Sequence, residues 1–448
     1  MPDRRGNPVS TSSHAALEHA ERALWRLMTF YGTPLDDLDA AAAEDPAWAL
    51  PALMKAGFLL GLSEARFARE GAAVLDAVEA RLATANARER AHFQALRTLQ
   101  AGDWDDARRA WEALLLAHPR DALALQWAHL FDFYRGDATS LRQRVARVLP
   151  EWDASDPLYP HVLALLAFGL EESNLYGEAE ATGRRALEAD PKSPWAVHAV
   201  AHVMEMQGRH EEGTQWLLRL RPQWSAGNGF SVHLGWHQAL FALERLDVAA
   251  ALALHDEHIA AENTAVTLER LDSAALLWRL HLLGADVGSR WQRLVAVWDL
   301  DPAAAGHYAF NDLHALLALV GAGELARAQA WLQLARERAE SSAGTNRAMA
   351  QEVGLPLMRG MLAFVQGRHD DAIELLYPVR SLAHRFGGSH AQRDLIDQTL
   401  LAAAAQAGSR SVGRALLNER IATKAQTPLT AHWARRLGLA DRAALPGS

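Results

Sequence analysis

Cysteine is absent from all 448 residues. That excludes disulfides, thiolate catalysis and cysteine-ligated zinc, and it leaves His, Asp and Glu as the available metal ligands. Lysine is scarce, present as Lys55, Lys192 and Lys424 alone, and arginine is scattered rather than clustered. With a net charge of −9, the basic stripe that marks a nucleic-acid binder is missing. No run of about 18 apolar residues occurs, so neither a membrane span nor a membrane partner is expected. The opening stretch MPDRRGNPVSTSSHAALEHAERALW lacks the apolar segment of a secretory signal, which points to the cytoplasm. Long alternating apolar–polar stretches are lacking too, so nothing reads as a β-strand. What is present is apolar character at helical spacing, as at Leu163, Leu166, Ala167 and Leu170. Half the chain is apolar, ample for a large core.

The chain repeats itself. The string GDWDDARRAWEALLLAHP (102–119) has the grammar of a turn followed by the second helix of a tetratricopeptide unit. Gly102 suits a left-handed helix end, Trp104 and Ala107 pack the next helix back, and Pro119 stops it. Related strings begin at Asn174, Gly208, Gly323 and Gly367. Taking the turn residue as a phase marker gives Gly102, Gly136, Asn174, Gly208, Leu246, Gly284, Gly323, Gly367 and Gly408, spaced by 34, 38, 34, 38, 38, 39, 44 and 41. The expected fold is therefore all-α, a right-handed α–α superhelix of tetratricopeptide type that can curl until it closes on itself. A polar arm covers 1–14, a single solenoid of about ten to eleven helix pairs covers 15–426, and a cap and tail cover 427–448. Residues 225–230, 341–349 and 386–390 read as irregular loops, placed to fold over the groove.

In such a unit the first helix faces the concave wall. The phase puts Trp195, His198, His202, Glu205 and Met206 inward in one unit, His161, Ala164, Phe168, Glu171 and Glu172 in the unit before, and His233 and Trp236 in the unit after, with His237 on the next face. Histidine and glutamate thus recur on three consecutive inner helices. Isolated histidines such as His92, His129 and His281 read as core residues with ordinary hydrogen-bond partners.

Three chemistries fit this pattern. In HAVAHVMEMQ and HLGWH, the pairs His198/His202 and His233/His237 stand four residues apart, so each pair shares a helix face. Together they offer three or four nitrogens to a divalent metal such as zinc. The zincin string is missing, however, because Ala199 follows the first histidine, and the metal is the weaker alternative to a site with no cofactor. A metal-free site would use histidine beside carboxylate as acid and base, from His198, His202, Glu205, His233, His237, Asp312, His314, His390 and Asp394. His161, Glu172, Trp195, Trp236, Asp272, Arg279, Asn311, Gln392 and Arg393 would then bind the ligand. Several of these begin inner helices, where backbone N–H groups favour an anion, and Arg279 and Arg393 suit a bidentate carboxylate clamp. Peptide binding is the third reading. The lysine–asparagine carboxylate clamp used by some tetratricopeptide domains does not fit, since none of the three lysines falls at an inner position.

The strings AVHAVAHVMEMQGRHEEG (196–213), HLGWHQALFALE (233–244), LDSAALLWRL (271–280) and GSHAQRDLIDQTL (388–400) together resemble the tetratricopeptide repeat protein 38 family. The likeness runs in the same order over nearly the whole chain. It implies an α-solenoid of about this length in the cytoplasm, and no settled activity comes with it. The reading that follows is a helical-repeat protein binding a small polar or anionic molecule in a concave cavity. A hydrolytic enzyme at the same place is the alternative and a peptide scaffold the third. The oligomeric state is left open.

Overall fold

In the computed structural model, residues 1–298, 300–424 and 427–439 are described; the tail from 440 expected beyond the cap lies outside them. Among the described residues no strand forms, and two isolated bridges, Pro2–Pro8 and Tyr31–Asn228, are the only β pairing. The chain is an all-α helical repeat. Among the described residues, eleven successive helix pairs run from His14–Thr29 with Leu35–Glu44 to His390–Ala407 with Arg410–Lys424, and the single helix Pro428–Arg436 follows. No described helix is long and apolar enough to cross a membrane.

Local chemistry sets the repeat. All nine phase residues lie in the left-handed region, from φ 59° at Leu246 and 60° at Gly136 to 90° at Gly102. Asn174 tolerates that region because its short polar side chain bonds locally, whereas Leu246 occupies it at a cost. The next residue often caps the second helix. Asp103 accepts from the Asp106 amide, Asp137 from Ser140 and Asp247 from Ala250, each at 3.0 Å, and each such cap is worth about 1 kcal/mol.

The two helices of a pair differ in how much of their surface is covered. Leu325–Ser341, a second helix, buries one stripe, Ala328, Trp331, Ala335 and Ala339, at spacings of three and four. Thr267–Leu282, a first helix, is buried over nearly its whole circumference, charged residues included. Polar side chains on first helices therefore need internal partners.

By contacts the chain divides into two compact units: Met1–Val200 with Pro222–Phe230 and Ala343–Thr345, and Ala201–Arg221 with Ser231–Ser342 and Asn346–Ser448. The boundary falls inside the helix Pro194–Met206.

In the first unit the polar arm is tied down. Arg5 pairs with Glu21 at 2.6 Å, and Asn7 donates to the Arg120 carbonyl at 3.2 Å. The segment 225–230 bonds to the first helix pair, since Asn228 donates to the Thr29 carbonyl at 3.1 Å and the Gly229 amide to that of Phe30 at 2.8 Å. Of the loop expected at 341–349, residues Thr345–Met349 form a short helix instead. His92 is a core residue, 2.9 Å from an Asp121 carboxylate that also accepts from Arg88 at 2.6 Å.

The second unit is built on the first helices Ser231–Glu244, Thr267–Leu282, Ala309–Gly321, Leu355–Val365 and His390–Ala407. Trp236, Phe241 and Trp278 are fully buried among them. The Trp278 indole spends its N–H on the Thr399 hydroxyl at 2.9 Å.

Candidate functional site

His202 and Glu205 end the helix Pro194–Met206, one turn apart; His233 and His237 share a face of Ser231–Glu244; Asp272 lies in the first half of Thr267–Leu282. All five belong to the second unit, and it brings them together. His202, His233 and His237 each offer a ring nitrogen, and these nitrogens lie within 4.8 Å of one another. The His202 and His237 rings are 4.5 Å apart by centroid, and those of His233 and His237 are 4.8 Å apart. Trp236 floors the group, stacked on His233 at 5.2 Å.

Two carboxylates orient two of the rings. Nδ1 of His233 is 2.8 Å from Asp272, and Nδ1 of His237 is 2.9 Å from Glu205. An ionised carboxylate can only accept, which puts the proton on Nδ1 and makes Nε2 the basic nitrogen of each ring. His202, His237, Glu205 and Asp272 are buried, while the His233 side chain is 20% exposed and reaches solvent. Burial pushes the Glu205 carboxyl above its ordinary range, despite opposing pulls from Lys424, His202 and Arg279.

Behind this group lies a charge network of which Asp394 alone was expected from the sequence. Lys424 stands 3.3 Å from Glu244 and 3.9 Å from Glu205. Arg420 pairs with Glu244 at 2.6 Å and with Asp394 at 3.1 Å. Burial alone would raise Asp394, but Arg420, Lys424 and Arg279 outweigh it and hold that carboxyl at about 2. The same balance, with Arg420 and Lys424 as cations, leaves Glu244 below its usual range. One signal was available: Gly413, Leu417, Arg420 and Lys424 recur at helical spacing on the buried face of Arg410–Lys424. Lysine set aside as off the inner wall thus does meet the site's carboxylate.

Other expected site residues are placed differently. Arg279 is fully buried over Trp236 and donates to the carbonyls of Ala391 at 2.7 Å and Ala275 at 3.0 Å, so those donors serve the backbone. Gln392 forms a capping box with Ser389, and Arg393 donates to the Gly388 carbonyl. Asp312 accepts from the Gly306 amide at 3.0 Å, and burial pushes it up to about 7. His314 donates Nδ1 to the Phe310 carbonyl at 2.8 Å, and burial lowers it to about 4. Asn311 is on the same helix as these two, and His390 begins the helix that carries Asp394.

In the first unit, His161 lies 3.3 Å from Asp190, and Glu172 is buried at the end of Tyr159–Glu172. Trp195 and His198 pack in an aromatic cluster. Trp195 is 4.6 Å from Phe230 by centroid, and His198 is 5.3 Å from Phe168 and 5.1 Å from Phe230.

No family model matches the chain. Solved structures similar to it include yeast Tom70, at a TM-score of 0.43 and 11% identity over 92% of this chain and 93% of that one. A human IFIT1 dimer with PPP-AAAA is similar at 0.44 and 14%, over 95% and 93%. A tetratricopeptide repeat protein from Parabacteroides merdae ATCC 43184 is similar at 0.34 and 15%, over 65% and 99%. These likenesses concern the fold alone, and the helical-repeat class rests on the paired helices themselves.

Proposed function

We propose that the second unit binds a small polar molecule at the cluster of His202, His233, His237, Glu205 and Asp272, in a cytoplasmic helical-repeat protein. The observation that carries this is the convergence of three imidazoles, two of them oriented by buried carboxylates. Burying such groups in place of apolar ones costs stability, and the arrangement leaves a basic nitrogen on each oriented ring. A ligand with hydrogen-bond donors suits those nitrogens. An anionic ligand suits the site less well, because Arg279, Arg420 and Lys424 already serve internal acceptors.

Hydrolysis is the second reading, favoured by the histidine–carboxylate pairs: Nε2 of His237 would take a proton from water while Glu205 keeps its tautomer. A peptide scaffold is third, consistent with a helical-repeat fold. The resemblance to the tetratricopeptide repeat protein 38 family falls on the same strings, and we place the chain beside that family on this ground.

Native mass spectrometry of the protein as purified, compared with His237→Ala, tests the reading. An organic mass carried by the wild type and lost from a variant with an unchanged circular-dichroism spectrum supports it. An organic mass kept by both, or carried by neither after a polar-metabolite thermal-shift screen, counts against it.

A further inference from the structure

The same three imidazoles satisfy a more specific chemistry. A divalent transition ion bound by nitrogen needs bonds of about 2.0–2.1 Å, which set neighbouring nitrogens roughly 3.3 Å apart in a tetrahedron. The ring nitrogens of His202, His233 and His237 lie within 4.8 Å of one another. The donors suit the ion as well, since imidazole is the favoured nitrogen ligand for zinc, and the chain holds no cysteine to compete for it.

A second, independent observation is the partner of each ring. Histidines that ligate metals characteristically give their other N–H to a carboxylate, which fixes the tautomer and raises the basicity of the ligating nitrogen. Asp272 does this for His233 and Glu205 for His237, at 2.8 and 2.9 Å. A core histidine with no ligand needs one partner for its N–H. It does not need two more imidazoles with nitrogens within 4.8 Å of its own. His233, the partly exposed member, stands where solvent reaches the group.

We infer that His202, His233 and His237 bind one divalent transition ion of the zinc class, with Asp272 and Glu205 orienting the rings. This rests on the same cluster as the function proposed above and would make the ion the point where that ligand is held.

The test uses the full chain prepared without a histidine tag, stripped with EDTA and dialysed. Zinc is added and measured by elemental analysis after gel filtration, and cobalt(II) is titrated with visible absorption as the readout. One zinc per chain and the intense visible bands of low-coordinate cobalt are expected. His233→Ala, chosen because that side chain is partly exposed, should abolish both while keeping the helical spectrum. Asp272→Asn should weaken cobalt binding by about 10–100-fold and leave the stoichiometry at one. Substoichiometric zinc in the wild type, or equal binding by wild type and His233→Ala, overturns the inference. The two proposals fail separately: a co-purified organic molecule that survives EDTA in a chain that binds no zinc overturns the ion alone, and stoichiometric zinc with no organic ligand overturns the ligand alone.

Discussion

Replacing Arg420 with methionine, which nearly fills the same volume, removes the cation shared by Glu244 and Asp394. Its guanidinium is buried and bonds to Glu244 at 2.6 Å, to Asp394 at 3.1 Å and to the Thr430 hydroxyl at 3.1 Å. Lys424 then remains as the one cation 3.3 Å from Glu244. Breaking a buried pair from one side costs about 3–5 kcal/mol, because the other charge stays behind without its partner. The pH dependence gives a second, independent magnitude. Asp394 is held at about 2 against an ordinary 3.8. That gap of about 1.8 units, at about 1.36 kcal/mol each, amounts to about 2.4 kcal/mol from this carboxylate. The sign follows from the depressed folded value: the contribution is complete above the unfolded pKa and is lost as pH falls through the folded one. Glu244 is also lowered and acts in the same direction. Urea unfolding should therefore place Arg420→Met about 3–5 kcal/mol below wild type at pH 7, with the difference shrinking toward pH 3. A Glu244→Gln cycle should return a coupling of about 2 kcal/mol. A cost under about 1 kcal/mol at pH 7, or an equal cost at pH 7 and pH 3, would refute the assignment of this guanidinium as the neutralising charge.

Three further outcomes follow. His129, buried with Nε2 donating to the Leu165 carbonyl, is lowered by burial to about 3 from 6.5, so the unfolded chain takes up a proton that the folded chain refuses. Stability is complete above about pH 6.5 and falls below it; between pH 7 and pH 5 wild type should lose about 2 kcal/mol more than His129→Gln, read from paired denaturation curves. Leu246→Gly should stabilise by about 0.5–1 kcal/mol, because leucine at φ 59° bears a left-handed strain that glycine does not; a lower melting temperature would count against this. Gly388→Ala should destabilise by at least about 2 kcal/mol, since φ is +76° and an added Cβ runs into the Phe310 ring; a neutral result in thermal unfolding would contradict it.

The parts of the fold legible in the sequence are those fixed by local chemistry. A left-handed residue that ends one helix, followed by an aspartate that caps the next, needs only a few neighbours, so nine turns could be phased even where leucine and asparagine stand in for glycine. The histidine–carboxylate group was half legible for a related reason. Spacing of four within a helix and equivalent positions in successive units are both sequence properties, and they placed His202, Glu205, His233 and His237 together. The charge network was not legible, because the phase rule treats every second helix as outward-facing. Arg410–Lys424 is the last second helix before the cap helix, and its inner stripe carries Arg420 and Lys424 among leucines. Asp312, His314 and Gln392 show a different ambiguity. A polar residue near a helix start has the same sequence signature whether it bonds a nearby backbone group or a substrate, and here all three bond nearby backbone.

A stacked helix pair needs only an apolar inner stripe to be stable, and most of the second unit is built that way, with Trp278, Leu276, Leu316 and Leu400 fully buried. Against that background the His–Glu–Asp group and the Arg420–Lys424 network are separable devices. The network is close to neutral within itself, with two cations set against Glu244 and Asp394, so it can hold the C-terminal helix in place without any ligand. The imidazole group is of another kind, three rings each with a nitrogen within 4.8 Å of the others'. Its two carboxylates each orient a ring, Asp272 that of His233 and Glu205 that of His237, and Glu205 also faces Lys424 at 3.9 Å. A purely structural role would be served as well by leucine at 202 and 237. The network therefore positions Glu205 through Lys424, and the clustered imidazoles are the part of this unit on which the proposed binding stands or falls.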